Sequence, residues 1–85
     1  MVYQISIDPA AMRELKKLAP KVRQELSAAI SALATTPRPD GLTKLSGSKN
    51  SYRIRVGDYR VLYRITDKEL LVLVVKVAHR RDVYR

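Results

Sequence analysis

Apolar and polar positions alternate from the start of the chain. Tyr3, Ile5 and Ile7 fall on one side of an extended segment and Gln4 and Ser6 on the other, which predicts a first strand from Val2 to Ile7. Asp8-Pro9 then reads as a helix N-cap with proline in the first helical position. Met12, Leu15 and Leu18, flanked by Ala11 and Ala19, make the stripe of a short helix that Pro20 stops. Val22, Leu26, Ile30 and Leu33, widened by Ala29, repeat at helical spacing and predict a second helix, so the pair forms an αα-hairpin over one side of a sheet. Residues 36–50 are rich in Pro, Gly, Ser and Lys and read as a loop anchored by Leu42 and Leu45. Ser51 to Val56 and Tyr59 to Thr66 alternate again around Gly57-Asp58, a two-residue turn with glycine first that suits a type II′ hairpin. After a polar turn at 66–69, Leu70 to Val77 is apolar on both faces and predicts a central strand, with His79 to Arg85 as a short polar tail. The expected fold class is α+β: an N-terminal strand, an αα-hairpin and a three-stranded antiparallel meander in one sheet. Its helices pack on one face, and residues 1–85 form a single domain.

The hairpin count places the side chains. With Val56 opposite Tyr59, Arg55 faces Arg60, Ile54 faces Val61, Arg53 faces Leu62 and Tyr52 faces Tyr63. Tyr52, Ile54, Val56, Tyr59, Val61, Tyr63 and Ile65 then form the core face. Arg53, Arg55, Arg60 and Arg64 share the other face with Leu62. Two arginines directly opposite each other repel. Either this is a solvated face where salt screens the repulsion, or it is an anion site; four convergent guanidiniums argue for the anion site. If the 66–69 turn keeps residue 64 opposite 71, Leu71, Leu73 and Val75 join Leu62 as an apolar patch beside the arginines. Such a patch suits an amphipathic acidic helix from a partner.

Charge sharpens the picture. The 85 residues carry 17 Lys and Arg against 8 Asp and Glu, a net charge of +9, and ten of the basic residues are arginine. Residues 49–85 hold 10 basic and 4 acidic side chains, against 7 and 4 in residues 1–48. A field of this sign attracts phosphate backbones or an acidic protein. The polar tail adds His79, Arg80, Arg81, Tyr84 and Arg85, and an aromatic among arginines also suits base stacking.

Several chemistries are excluded. Without cysteine there is no disulfide framework, thiolate zinc site or cysteine nucleophile, a composition suited to a reducing cytosol. The longest apolar run, Leu70 to Val75, is too short to span a bilayer, and Met1 to Asp8 lacks the basic start of a signal peptide. The carboxylates are scattered: Asp8 at a cap, Glu14 and Glu25 on helices, Asp40, Asp58, Asp67 and Glu69 in loops or turns. No two-metal site is therefore expected, and no cofactor. There is no phosphate-binding glycine loop and no Ser-His-Asp set. An enzyme of this composition works through cationic stabilisation of a charged transition state.

The order strand, αα-hairpin, three strands resembles the RelE/ParE toxin superfamily. So do the run Leu42-Thr-Lys-Leu-Ser-Gly, the hairpin Ser51-Tyr-Arg-Ile-Arg-Val-Gly-Asp-Tyr-Arg-Val-Leu-Tyr and the ending Val77-Ala-His-Arg-Arg-Asp-Val-Tyr-Arg. The resemblance covers essentially the whole chain. It implies a RelE-like fold and a cytoplasmic toxin that forms a hetero-oligomer with a cognate acidic antitoxin protein. It further implies cleavage of mRNA in the ribosomal A site by 2′-hydroxyl attack without metal, so that mRNA and ribosome are partners and no membrane is. The family's catalytic positions fall on Arg53, Arg55, Arg60, His79, Arg80 and Tyr84. Lys49, Arg64, Arg81 and Arg85 extend an RNA-binding surface, and Leu62, Leu71, Leu73 and Val75 are the expected antitoxin contacts. The family often has lysines where Arg53 and Arg55 stand, and arginine hardly deprotonates. Any protein base then falls to His79, which otherwise stacks on RNA or caps the strand end. The alternative is a ParE-like toxin that poisons gyrase without cutting RNA; Asp82-Val83-Tyr84 favours the RelE type.

Overall fold

The computed structural model describes residues 2–47 and 49–83. Strand β1 (Gln4–Ile7) leads into α1 (Pro9–Lys16) and α2 (Pro20–Ala32). After a connection containing the two-residue strand β2 (Thr43–Lys44) come β3 (Ser51–Val56) and β4 (Tyr59–Thr66). A 3₁₀ turn (Asp67–Glu69) precedes β5 (Leu71–His79), and α3 (Arg80–Val83) follows directly. The five strands form one open mixed sheet in the order β1-β5-β4-β3-β2, with β1 parallel to β5 and the other pairs antiparallel. This is the expected α+β fold with both long helices on one face. The segment 36–50, expected as loop, adds an edge strand, and the tail adds a helical turn.

The local signals explain the elements. The Asp8 side chain caps α1 by accepting the Ala10 N–H at 2.9 Å, and proline occupies the first turn of both α1 and α2. Ala11 and Leu15 of α1, and Leu26 and Ile30 of α2, are buried. Met12, expected in the stripe, is exposed, because α1 is only eight residues long and turns a narrow face inward. Against the helices pack Tyr52, Ile54, Val61, Tyr63, Ile65, Val72, Val74 and Val77, all buried, with Val56 and Tyr59 partly so. No helix among the described residues is long and apolar enough to cross a membrane.

Two backbone features, a turn and a bulge, fix the strand registers. Gly57 has φ +59° while Asp58 stays at negative φ, the pattern of a type II′ turn. The β3–β4 register is accordingly the one the turn dictates: Val56↔Tyr59, Arg55↔Arg60, Ile54↔Val61, Arg53↔Leu62, Tyr52↔Tyr63. The β4–β5 ladder departs from expectation. Arg64 lies opposite Leu73, not residue 71, and a bulge intervenes, with Tyr63 opposite Val74 but Leu62 opposite Lys76. Val75 is the inserted residue. Beyond it the alternation of β5 inverts, so Lys76 and Ala78 take the face of Leu62 and Arg60, while Val77 and His79 take the core face with Val61 and Tyr59.

Candidate functional site

The arginines of the hairpin do not share one environment. Arg64 and Arg55 are exposed, Arg53 is partly buried, and Arg60 is only 4% exposed. The expectation of four arginines on one open face is thus corrected at Arg60. The reason lies in its neighbours: Arg55 stands opposite on one side and Ala78 on the other. The small alanine leaves space that the long guanidinium side chain fills.

A cavity of about 180 Å³ opens at this point, lined by Gly41, Thr43, Arg53, Arg55 and Arg60. At about 30 Å³ per water its volume matches roughly six waters, room for a phosphodiester group. Strand β2 supplies the wall: Thr43 pairs with Arg53 and Lys44 with Tyr52, which carries Gly41 and Thr43 to the arginines. Gly41, at φ +83°, makes the bend into that strand. Among the described residues, no carboxylate lines the cavity. Three guanidiniums, a hydroxyl-bearing residue and a glycine form a donor set suited to an oxyanion.

The remaining sequence candidates lie elsewhere. His79, Arg80 and Arg81 line a second, shallower pocket of about 400 Å³ with Asp58. His79 does not point with the hairpin arginines. The bulge sends it to the core face, where its ring meets Tyr59 edge-on at 5.2 Å. Its Nδ1 accepts the Arg81 backbone N–H at 3.2 Å, and the Arg80 N–H donates to the Asp58 carbonyl at 2.7 Å. Lys49 lies beyond the cavity, on a pocket of about 450 Å³ with Lys44, Leu45, Ser46 and Gly47. Leu62, Leu71 and Leu73 are half-buried on the arginine face, beside exposed Gln4 and Ser6 of β1. Val75 leaves this patch: as the bulge residue it borders Ala11, Arg13 and Glu14 of α1. Tyr84 and Arg85 lie outside the described residues.

Sequence reasoning missed a polar clamp on the far side of the hairpin. Arg38 grips Asp67 with two bonds, Nη1 to Oδ1 at 3.2 Å and Nη2 to Oδ2 at 2.9 Å. Its guanidinium also lies over the Tyr52 ring, 5.4 Å from the centroid, with Nε donating to the Tyr52 hydroxyl at 3.4 Å. Tyr3 donates its hydroxyl to Asp67 Oδ1 at 2.6 Å, and buried Tyr63 donates to the Pro37 carbonyl at 2.8 Å. The connection after α2 is thereby tied to β3, β4 and the 3₁₀ turn a few residues before it builds the cavity wall. Hydrogen bonds from Arg38, then Tyr3, hold the Asp67 carboxyl below its usual range. The same carboxylate pushes the Tyr3 hydroxyl up, and burial pushes Tyr63 to about 12. The two partners of the clamp are 29 residues apart, and no local pattern in the chain marks the pairing.

Comparison with known proteins agrees with this architecture. Mycobacterium tuberculosis toxin RelG is 33% identical over 86 residues, covering 100% of this chain and 99% of the relative. The Escherichia coli mRNA interferase toxin RelE is 31% identical over 88 residues, covering 99% and 92%. Among solved structures, the RelE–RelB complex of the archaeon Pyrococcus horikoshii superposes with a TM-score of 0.84 at 27% identity, covering 94% of this chain and 97% of that one. A free E. coli RelE variant superposes with a TM-score of 0.81 at 30% identity, covering 99% and 92%. The family model described as the ParE toxin of type II toxin–antitoxin systems matches residues 5–84. The chain belongs to that family and is a RelE-like toxin of a type II toxin–antitoxin system.

Proposed function

We propose that this toxin is an endoribonuclease that cleaves mRNA in the ribosomal A site, with the arginine cavity as the seat of phosphoryl transfer. The carrying observation is the convergence of Arg53, Arg55 and buried Arg60 on a phosphate-sized cavity whose described wall holds no carboxylate. The naming of an E. coli relative as an mRNA interferase supports the same reading. In this reaction the 2′-oxygen forms a bond to the adjacent phosphorus and the bond from phosphorus to the 5′-oxygen breaks. The 2′-hydroxyl proton leaves, the 5′-oxygen gains a proton, and the products are a cyclic phosphate and a 5′-hydroxyl. Charge grows on the non-bridging oxygens in the transition state, where fixed, preorganised cations stabilise it most. The cavity wall offers guanidiniums in place of carboxylate-bound metal, so the reaction is proposed to run without a metal ion.

The antitoxin reading belongs with this one. An acidic, amphipathic segment of a cognate antitoxin covers half-buried Leu62, Leu71 and Leu73 and neutralises the adjoining arginines. The complex is a toxin–antitoxin hetero-oligomer, as the P. horikoshii RelE–RelB structure is for its own chains.

The test adds the purified chain to translating ribosomes and maps the RNA ends. Cut mRNA with a cyclic phosphate upstream and a 5′-hydroxyl downstream is the expected product, and a phosphorothioate at the scissile position should not acquire dependence on a thiophilic metal. Intact mRNA together with gyrase-linked DNA breaks would replace this reading with the ParE-type activity.

A further inference from the structure

We propose that His79 is a positioning residue, the N-cap of the C-terminal helix, and not the base that takes the 2′-hydroxyl proton. The proposal rests on the RNA-cleavage reading above. A helix that begins at Arg80 leaves its first N–H groups without partners inside the helix. Two of them are met from outside: the Arg80 N–H by the Asp58 carbonyl of the hairpin turn, the Arg81 N–H by His79 Nδ1. His79 immediately precedes the helix, so its side chain fills the capping place that serine or aspartate usually takes.

That bond decides the state of the ring. A backbone amide can only donate, so Nδ1 contributes its lone pair and the neutral imidazole carries its hydrogen on Nε2. The one nitrogen able to accept a proton is already engaged. Tyr59 meets the ring edge-on, which restrains rotation toward any other use. Through the bulge, moreover, the ring lies on the opposite face from Arg60, Arg55 and their cavity. What His79 does reach is the direction of the chain after β5. It pins Arg80 and Arg81 to the hairpin end, two residues beyond Ala78, the strand partner of Arg60.

Among the described residues, Tyr59 from β4, Asp58 from the turn, and Arg80 and Arg81 from α3 surround His79, so the ring serves the hairpin end and the helix start.

The cap and base roles separate with substitutions in the full chain. His79→Asn restores a short capping oxygen that cannot act as a base, while His79→Phe keeps the ring contact and removes the cap. Single-turnover cleavage on ribosomes should stay within about threefold of the parent in His79→Asn and fall roughly tenfold in His79→Phe, the scale of a lost N-cap. Asn as slow as Phe, or Phe as fast as the parent, overturns the proposal. A second arm needs no RNA: exchange of the Arg81 amide should be protected in the parent and in His79→Asn and unprotected in His79→Phe, and imidazole nitrogen shifts should place the hydrogen on Nε2. If the Arg81 amide of the parent exchanges freely, the cap is absent whatever the cleavage assay gives. If no variant cuts RNA while the protection pattern holds, the cap stands and the RNA-cleavage reading fails alone.

Discussion

Arg38 and Arg60 occupy the two sides of one hairpin and differ in burial and in the charges beside them. Arg38 is well exposed, yet its charge is matched: two bonds to Asp67, a hydroxyl from Tyr52 and the face of the Tyr52 ring. Arg60 is almost wholly buried, yet it sits opposite another arginine on a cavity lined, among the described residues, by three guanidiniums and no acid. A cation ordered for stability finds a carboxylate, as Arg38 does, and its neighbour Asp67 becomes harder to protonate. Arginines set directly opposite each other repel, and an arriving phosphate dianion relieves that repulsion. Fold-holding charge thus belongs to the clamp, and the proposed function places the chemistry in the cavity.

The sharpest way to break that assignment is at Arg55, where the two roles pull in opposite directions. Arg55→Thr removes a transition-state cation but also a like-charge pair, and threonine suits a strand. Cleavage should drop about 10- to 100-fold, because Arg55 is more exposed than a buried donor worth about 2–4 kcal/mol. The melting temperature should hold or rise by a few degrees. A stability loss with unchanged cleavage would reverse the assignment. Arg38→Ala is the mirror case. It should lower Tm by roughly 4–8 °C, the shift that about 1 kcal/mol produces in a domain of this size. Cleavage at a permissive temperature should change less than about threefold.

Titration separates the regions more finely. The Asp67 carboxyl is held low in the folded chain, so its contribution to stability is complete above the carboxylate's unfolded value near 3.9 and is lost as pH falls through the lower folded value. Asp67→Asn should flatten the acid side of the stability curve, as followed by urea unfolding across pH. Tyr63 has the opposite sign. Raised to about 12, it keeps its proton after the unfolded tyrosine, near 10, has lost its own. Stability should therefore fall as pH rises from about 10 to 12, and that slope should vanish in Tyr63→Phe. The smallest effect belongs to exposed Arg64. Arg64→Ala should weaken RNA binding a few-fold and reduce the salt slope by about one charge, leaving the bound-state rate unchanged.

How much of the fold and the site was readable in the chain depends on how local the cause is. The Gly57-Asp58 turn is local, and it dictated the pairing of every hairpin residue from Tyr52 to Tyr63. The Asp8-Pro9 cap and the two helical stripes are local as well. The bulge at Val75 is not marked in the sequence, because Leu71 to Val75 is apolar at every position and alternation gives no phase. One uncounted residue moved His79 to the other face and took Val75 out of the apolar patch. The burial of Arg60 depends on Ala78 across the sheet, and the cavity wall on the two-residue strand at Thr43, both set by strand pairing. The Arg38–Asp67 clamp likewise joins two loop residues that only the finished sheet brings together.

The central claim is that buried Arg60 stabilises the transferring phosphoryl group, and single-turnover cleavage of ribosome-bound mRNA by Arg60→Ala tests it most directly. Loss of one buried donor worth about 2–4 kcal/mol predicts a rate at least roughly a hundredfold below the parent. A melting temperature measured on the same protein keeps the two effects apart: truncating a buried side chain lowers it, so cleavage is compared at a temperature where the variant is folded. Cleavage within a few-fold of the parent by a folded Arg60→Ala protein would contradict the account and remove the arginine cavity from the mechanism.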